Sequence, residues 1–350
     1  MKKNKLLITL AAGLMALSAT AAGIHANETP VHRPIIEEYT GTWCGWCVRG
    51  LVGMELLSQN LGEDFIGVAY HNSDAMQTYN SNAYPNNIDG FPSAFVDRTI
   101  EVDPFYGTGS ASGGIVSFMQ QYAAISTNAS IDVTAQWANA DKTEISVTVN
   151  TYFTEDIDNA AYAVEVMLIA DDLYGTGSSW NQSNYYSGNS YFSSDPYLGP
   201  WVKKGSSVSG IHYNDVLLLT SKPISSSIPS SIVAYDDYSY NYTILLTKLP
   251  KPALVQNKDN LRIIALVVNN SNGSAVNANR CYISDYIPVI IGDVDDDGEV
   301  GINDVSALLD YLLTGNYPIN QSNSDVSPDG QIDILDVTAL ISLLLTGDTE

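Results

Sequence analysis

Apolar positions between residues 30 and 126 come in two rhythms. IIEEY and DFIGVAYHN are short runs of β-branched and aromatic residues, which predicts strands. Between them, VRGLVGMELLSQNL places apolar residues at 48, 51, 52, 54, 56 and 57, a broad helical stripe. FPSAFVD predicts a third strand and GIVSFMQQYAAIS a second helix. Strand, helix, strand, loop, strand, helix is the order of an α/β layer fold. From residue 128 the rhythm becomes two. Ile131, Val133, Ala135 and Trp137 alternate with polar residues, and after an NADK turn Ile145, Val147 and Val149 do the same. That is a hairpin with one buried face. AYAVEVMLIADD, NYTILLTKL and LRIIALVVNN predict further strands, so 128–287 reads as an antiparallel β-sandwich. Residues 173–214 interrupt it with a long insertion rich in Ser, Gly, Asn and aromatics. Its aromatic content argues against disorder.

The last segment repeats itself. GDVDDDGEVGINDVSALLDYLLTG at 292–315 returns as SDVSPDGQIDILDVTALISLLLTG at 324–347. Val305, Leu308, Leu309 and Leu312 match Val337, Leu340, Ile341 and Leu344, two amphipathic helices able to pack face to face.

Each repeat opens with a twelve-residue loop of calcium-binding spacing. Asp293, Asp295 and Asp297 take the first, third and fifth places, Gly298 the sixth and Asp304 the twelfth. In the second loop Asp325, Ser327 and Asp329 precede Gly330, Asp333 holds the ninth place and Asp336 the twelfth. Calcium takes about six to eight oxygens. Alternate residues of a curling loop point inward together, and the seventh residues, Glu299 and Gln331, offer backbone carbonyls. Two Ca2+ ions are expected. So small a helical core needs such a staple.

This tail resembles the type I dockerin module over 292–347. The resemblance implies two calcium-loop-plus-helix repeats that plug into a cohesin module on a scaffold or cell-surface protein. It places partner contacts at Ile302, Asn303, Ile334 and Leu335 and in the helices beyond. The helix places that are often basic in that family hold Leu309, Asp310, Ile341 and Ser342 here. Either repeat is expected to dock.

EEYTGTWCGWCVRG puts Cys44 and Cys47 between a predicted strand and a predicted helix. A helix N-terminus favours a thiolate, so Cys44 reads as an attacking sulfur and Cys47 as its resolving partner. The same pair reads equally as a permanent bridge pinning the turn. A zinc site would need further ligands that the surroundings do not supply. GFPSAF offers Pro92 as a cis proline before a strand. The order resembles the thioredoxin superfamily over 31–126. EEYTGTWCGWCVRGLVGM, FPSAFVDR and GSAVNANRCYI are similar to the outer membrane protein 28-related family, which joins a thioredoxin-like part to a β-rich part. Val48 follows the second cysteine where redox thioredoxins often have Pro. Glu37 or Glu38 is the available acid beneath the pair. Cys281 reads as a small hydrophobe of the sandwich core. His71, after a strand, is either a catalytic candidate near the cysteines or a loop residue.

Charge and composition narrow the functions. The chain starts with Lys2, Lys3 and Lys5, an apolar run and small residues, a secretory leader over 1–26. No later run predicts a transmembrane helix. The formal net charge is −24, which argues against nucleic acid and anionic membranes as partners. Three cysteines are too few for a disulfide framework. Trp180 and Trp201 of the insertion are candidates for stacking on sugar rings, or for packing beneath their own loop. Adjacent acids such as Asp171 and Asp172 point apart on a strand, against the opposed pair of a glycosidase.

The expected organisation is a leader at 1–26, a thioredoxin-like domain at 27–127, the sandwich at 128–287 and a dockerin at 288–350. The expected function is calcium-dependent docking onto a polysaccharide-degrading or surface assembly, with thiol-disulfide exchange at CGWC as its enzymatic expectation. The alternatives are a carbohydrate-binding or glycoside-hydrolysing component, and a structural adhesion protein with an inert disulfide.

Overall fold

The computed structural model describes residue 25 and residues 28–346. Apart from His25, the expected leader lies outside the described residues. The chain forms two compact units, one of residues up to 135 with 146–283, the other of 136–145 with 284–350.

The first unit is organised by strand β1 (Ile35–Thr40), buried at all six positions. Helix α1 (Val48–Leu61) returns the chain to β2 (Ile66–His71), which pairs with β1 in parallel. β3 (Ser93–Val96) pairs antiparallel with the other edge of β1, and β4 (Ile100–Val102) with β3. Helix α2 (Gly114–Tyr122) follows. The α1 bounds are those of the apolar stripe.

The chain then forms β5 (Ala129–Trp137), β6 (Glu144–Phe153), β7 (Tyr162–Ala170), β8 (Val216–Thr220), β9 (Tyr238–Leu245), β10 (Leu261–Asn269) and β11 (Ala275–Tyr282). β9, β6 and β5 make a three-stranded sheet. The other four join the N-terminal strands in one eight-stranded sheet of order β11-β10-β7-β8-β2-β1-β3-β4. This corrects the expected division at 127/128: the two parts share a sheet, and the sandwich reading of 128–287 does not describe these strands. The reason lies in β2. All six of its residues are buried, so its free edge cannot leave backbone groups without partners. The Ala69 N–H donates to the Asp215 carbonyl at 2.7 Å, and Val216 of β8 pairs in parallel with Ala69.

Strand alternation divides the core. Ile35 and Tyr39 face a cluster with Val68, Tyr70, Ile169 and Leu266. Ile36 faces the other side, with Met54 and Leu57 of α1 and Ile115 of α2.

In the second unit, helices α3 (Ile302–Thr314) and α4 (Ile334–Thr346) bury Val305, Leu308, Val337 and Leu340, as their periodicity predicts, around Val294 and Val326 of the loops. Ile341 and Leu344 depart from the expected stripe and are 42% and 37% exposed.

Candidate functional site

The two acidic loops have matching internal bonds. Asp293 accepts from the Asp297 and Gly298 N–H groups at 3.0 and 3.1 Å, and Asp325 from Asp329 and Gly330 at 3.1 and 3.0 Å. The sixth places turn sharply, with φ of 90° at Gly298 and 81° at Gly330, where a side chain would be strained. Each twelfth residue closes its loop. Asp304 accepts from Val294, Asp295 and Gly301, at 2.6, 3.0 and 2.7 Å. Asp336 accepts from the Ser327 backbone and hydroxyl, both at 2.9 Å, and from Asp333 at 2.8 Å. Burial acts to raise the Asp336 pKa, but these donors hold it below the usual carboxylate range.

Asp293, Asp295 and Asp297 each place a carboxylate oxygen within 4.8 Å of the others. Asp295 Oδ1 has no hydrogen-bond partner. Its pKa is raised by lost solvation and by the charges of Asp304, Asp297 and Asp293. A cluster of acids, one with an orphaned acceptor, fits a hard divalent cation. Asn323 was invisible to sequence reasoning because it holds no place in the loop pattern. Its buried side chain ties the loops together, accepting from Ile290 N–H at 3.2 Å and donating to the Asp293 carbonyl at 2.9 Å. Of the expected partner contacts, Ile302, Ile334 and Leu335 are 71%, 61% and 55% exposed, and Asn303 is exposed too.

Cys44 and Cys47 are joined by a disulfide, and Cys47 caps α1. Cys44 is 5% exposed and Cys47 fully buried. The aromatic insertion covers them. Gln182 donates to the Cys44 carbonyl at 2.9 Å, Ser183 N–H to Thr42 at 2.7 Å and Tyr185 N–H to Gly45 at 3.2 Å. A Cβ on Gly45 would meet the Tyr185 ring at 2.3 Å, so this position must be glycine for the insertion to seat. The Phe91–Pro92 bond is cis. Trp43 stands edge-on to Phe91 at 5.5 Å.

Trp201 tucks inward, 9% exposed, in a cluster with Val48, Val52, Tyr186 and Leu198. Trp180 is half-buried, and its carbonyl accepts from Tyr213 at 2.9 Å. Cys281 is half-buried, and burial, helped by Asp132, pushes its thiol up to about 12. Asp171 pairs with Arg262 at 2.8 Å and Asp172 with His212 at 2.6 Å, so the adjacent acids serve different partners.

Residues 291–345 match the family model of the Dockerin type I domain. The C-terminal segment is therefore a type I dockerin domain, which supports calcium binding and docking to a cohesin. None of the curated proteins matches the chain. Among solved structures the chain is similar to HBP35 of Porphyromonas gingivalis, at 14% identity over 76% of this chain and 82% of that one, with a TM-score of 0.49. It is also similar to a structural-genomics protein from Agrobacterium tumefaciens, at 12% identity over 74% and 97%, TM-score 0.38. A domain of the outer membrane lipoprotein Omp28 from Porphyromonas gingivalis matches at 16% identity over 46% of this chain and 92% of that domain, TM-score 0.25. Among the described residues, no helix is long and apolar enough to cross a membrane.

Proposed function

We propose that the chain is exported and held on a cohesin-bearing scaffold or surface protein by its C-terminal domain, with one Ca2+ ion in each loop. The observation that carries this reading is the orphaned Asp295 oxygen within the Asp293, Asp295 and Asp297 cluster. Asp293, Asp295, Asp297, the Glu299 carbonyl and Asp304 would hold one ion. Asp325, Ser327, Asp329, the Gln331 carbonyl and Asp336 would hold the other. Ile302 and Ile334, at equivalent places of the two repeats, present exposed apolar surface beside polar loops. That equivalence favours docking through either repeat.

The test is capture of the full chain on immobilised cohesins, with calcium and with chelator. Binding is expected to require calcium. Ile302→Asp alone should leave most of it, and Ile302→Asp with Ile334→Asp should abolish it. Undiminished binding in chelator rejects the proposal.

The strand–helix–strand, hairpin and helix of 31–126, with CGWC at the start of α1, support a thioredoxin-like reading of that part. Within it, the covered sulfurs favour a fixed bridge that pins the β1-to-α1 turn over an exchanging pair. No acceleration of insulin reduction by dithiothreitol is expected. Catalysis would show that the insertion opens and would restore the exchange reading.

A further inference from the structure

The sheet edges of the molecule are not alike. In the eight-stranded sheet, β4 at one end is three residues long and carries Glu101. At the other end β11 is engaged by β5: Asn277 Nδ2 donates to the Ala129 carbonyl at 2.8 Å and Asn279 Nδ2 to the Ile131 carbonyl at 3.0 Å. β5 is one outer strand of the three-stranded sheet, and β9 (Tyr238–Leu245) is the other.

β9 reads YSYNYTIL, eight residues without a charge, a proline or a glycine. Among the described residues, no backbone hydrogen bond runs from it beyond its own sheet. A strand with one neighbour directs alternate N–H and C=O groups outward, a template for a further strand. Exposed edges are ordinarily guarded by shortness, charge, proline or a covering segment. β4 is short and charged and β11 is covered, whereas β9 has none of these guards. Its Ser239, Asn241, Thr243 and Leu245 are exposed and its three tyrosines half-buried, so water can satisfy the edge until a strand displaces it.

The ends of β9 select the occupant. Asp236 precedes the strand and Lys248 follows it. Both are exposed, and among the described residues neither enters an ion pair, whereas Asp237 is held by His25 at 2.9 Å. Antiparallel pairing of two copies about a two-fold axis at Tyr242 sets Asp236 of each opposite Lys248 of the other. The same register sets Asn241 against Thr243 on the polar face, and Tyr240 against Ile244 on the aromatic face. Such cross-strand pairs contribute about 0.2–1 kcal/mol each. A shift of the register separates both charge pairs. The net charge of −24 opposes association, but in physiological salt it is screened beyond about 8 Å, which leaves the choice to the local match.

We propose that β9 is a dimerisation edge. Two copies of this chain pair their β9 strands antiparallel, with Asp236 and Lys248 matched at both ends, and join their three-stranded sheets into one of six. The C-terminal loops take no part, so docking and dimerisation can fail separately.

The experiment is sedimentation equilibrium on the full chain, with calcium, in physiological salt and up to about 0.5 mM protein. A monomer–dimer equilibrium is expected. Thr243→Lys sets two like charges beside the axis and should leave a monomer that is still folded by circular dichroism and urea denaturation. Asp236→Lys and Lys248→Asp each place like charges opposite one another and should weaken the dimer at least about fivefold, and the double variant should return it to within about twofold of wild type. Folded wild-type protein that stays monomeric at the highest concentration overturns the proposal. So does a dimer unaffected by Thr243→Lys, or a double variant that pairs no more tightly than the single ones.

Discussion

Glu37 and Glu38 are adjacent in β1, both fully buried, and alternation sends them to opposite faces of the same sheet. Their surroundings differ completely. On one face Glu37 accepts from Arg98 Nε and Nη2, each at 3.0 Å, and from the Tyr70 hydroxyl at 3.1 Å. Arg98 Nη1 also donates to Glu165 of β7 at 2.7 Å, and the Thr220 hydroxyl of β8 bonds the same carboxylate. That network joins strands from before and after the expected boundary at 127/128. On the other face Glu38 keeps an oxygen without a partner, beneath α1. Gly50 makes room for it: a Cβ there would lie 1.8 Å from Glu38 Oε1. A closed network fixes structure, whereas a carboxyl oxygen buried against α1 without a partner is a local cost.

The largest way to break this contrast is to remove the cation of the closed face. Arg98→Met leaves Glu37 and Glu165 buried without their charge partner. A loss of about 3–5 kcal/mol is expected from urea denaturation. A loss below about 1 kcal/mol would mean that water reaches this face, and the contrast between the faces would disappear. Thr220→Val should have a smaller effect, about 1–3 kcal/mol, because it removes one donor and leaves the ion pairs in place.

The local patterns were legible because each is set by neighbours in sequence. The calcium loops, α1, the period-two hairpin and the strand-to-helix place of CGWC all follow from spacing within about twenty residues. The shared sheet was not. β8 is the five-residue apolar run VLLLT, buried nearly throughout, so it shows no alternation to mark it as a strand. Its partner β2 lies far away in sequence, and nothing local encodes that pairing. One sign was available: IIEEY sets two acids inside a run otherwise fit for a buried strand, a local conflict of the sort that marks a specialised site. The insertion's aromatics announced order, but not that they would close over the disulfide.

The smallest effect is also the most diagnostic of the open face. Glu38→Gln keeps the shape and a donor while removing the ionisable group. At about pH 4 the wild-type carboxyl is protonated in the folded chain and largely protonated in the unfolded one, so the variant should match it within about 1 kcal/mol. The curves should then separate as pH rises. The folded-state pKa of Glu38 is raised from its ordinary 4.5 to about 8, chiefly by burial, with Asp215 adding to the shift. Between those two values the folded chain holds a proton that the unfolded chain has released. Stability must therefore fall as pH increases across that window, by at most about 1.4 kcal/mol per unit. Asp215, raised to about 7 by burial against the opposing pull of Arg262, acts in the same direction in both proteins. Urea denaturation from about pH 4 to about pH 8 should show the variant overtaking the wild type. Parallel curves would mean that Glu38 is solvated and ionised throughout, and that the two faces of β1 are alike.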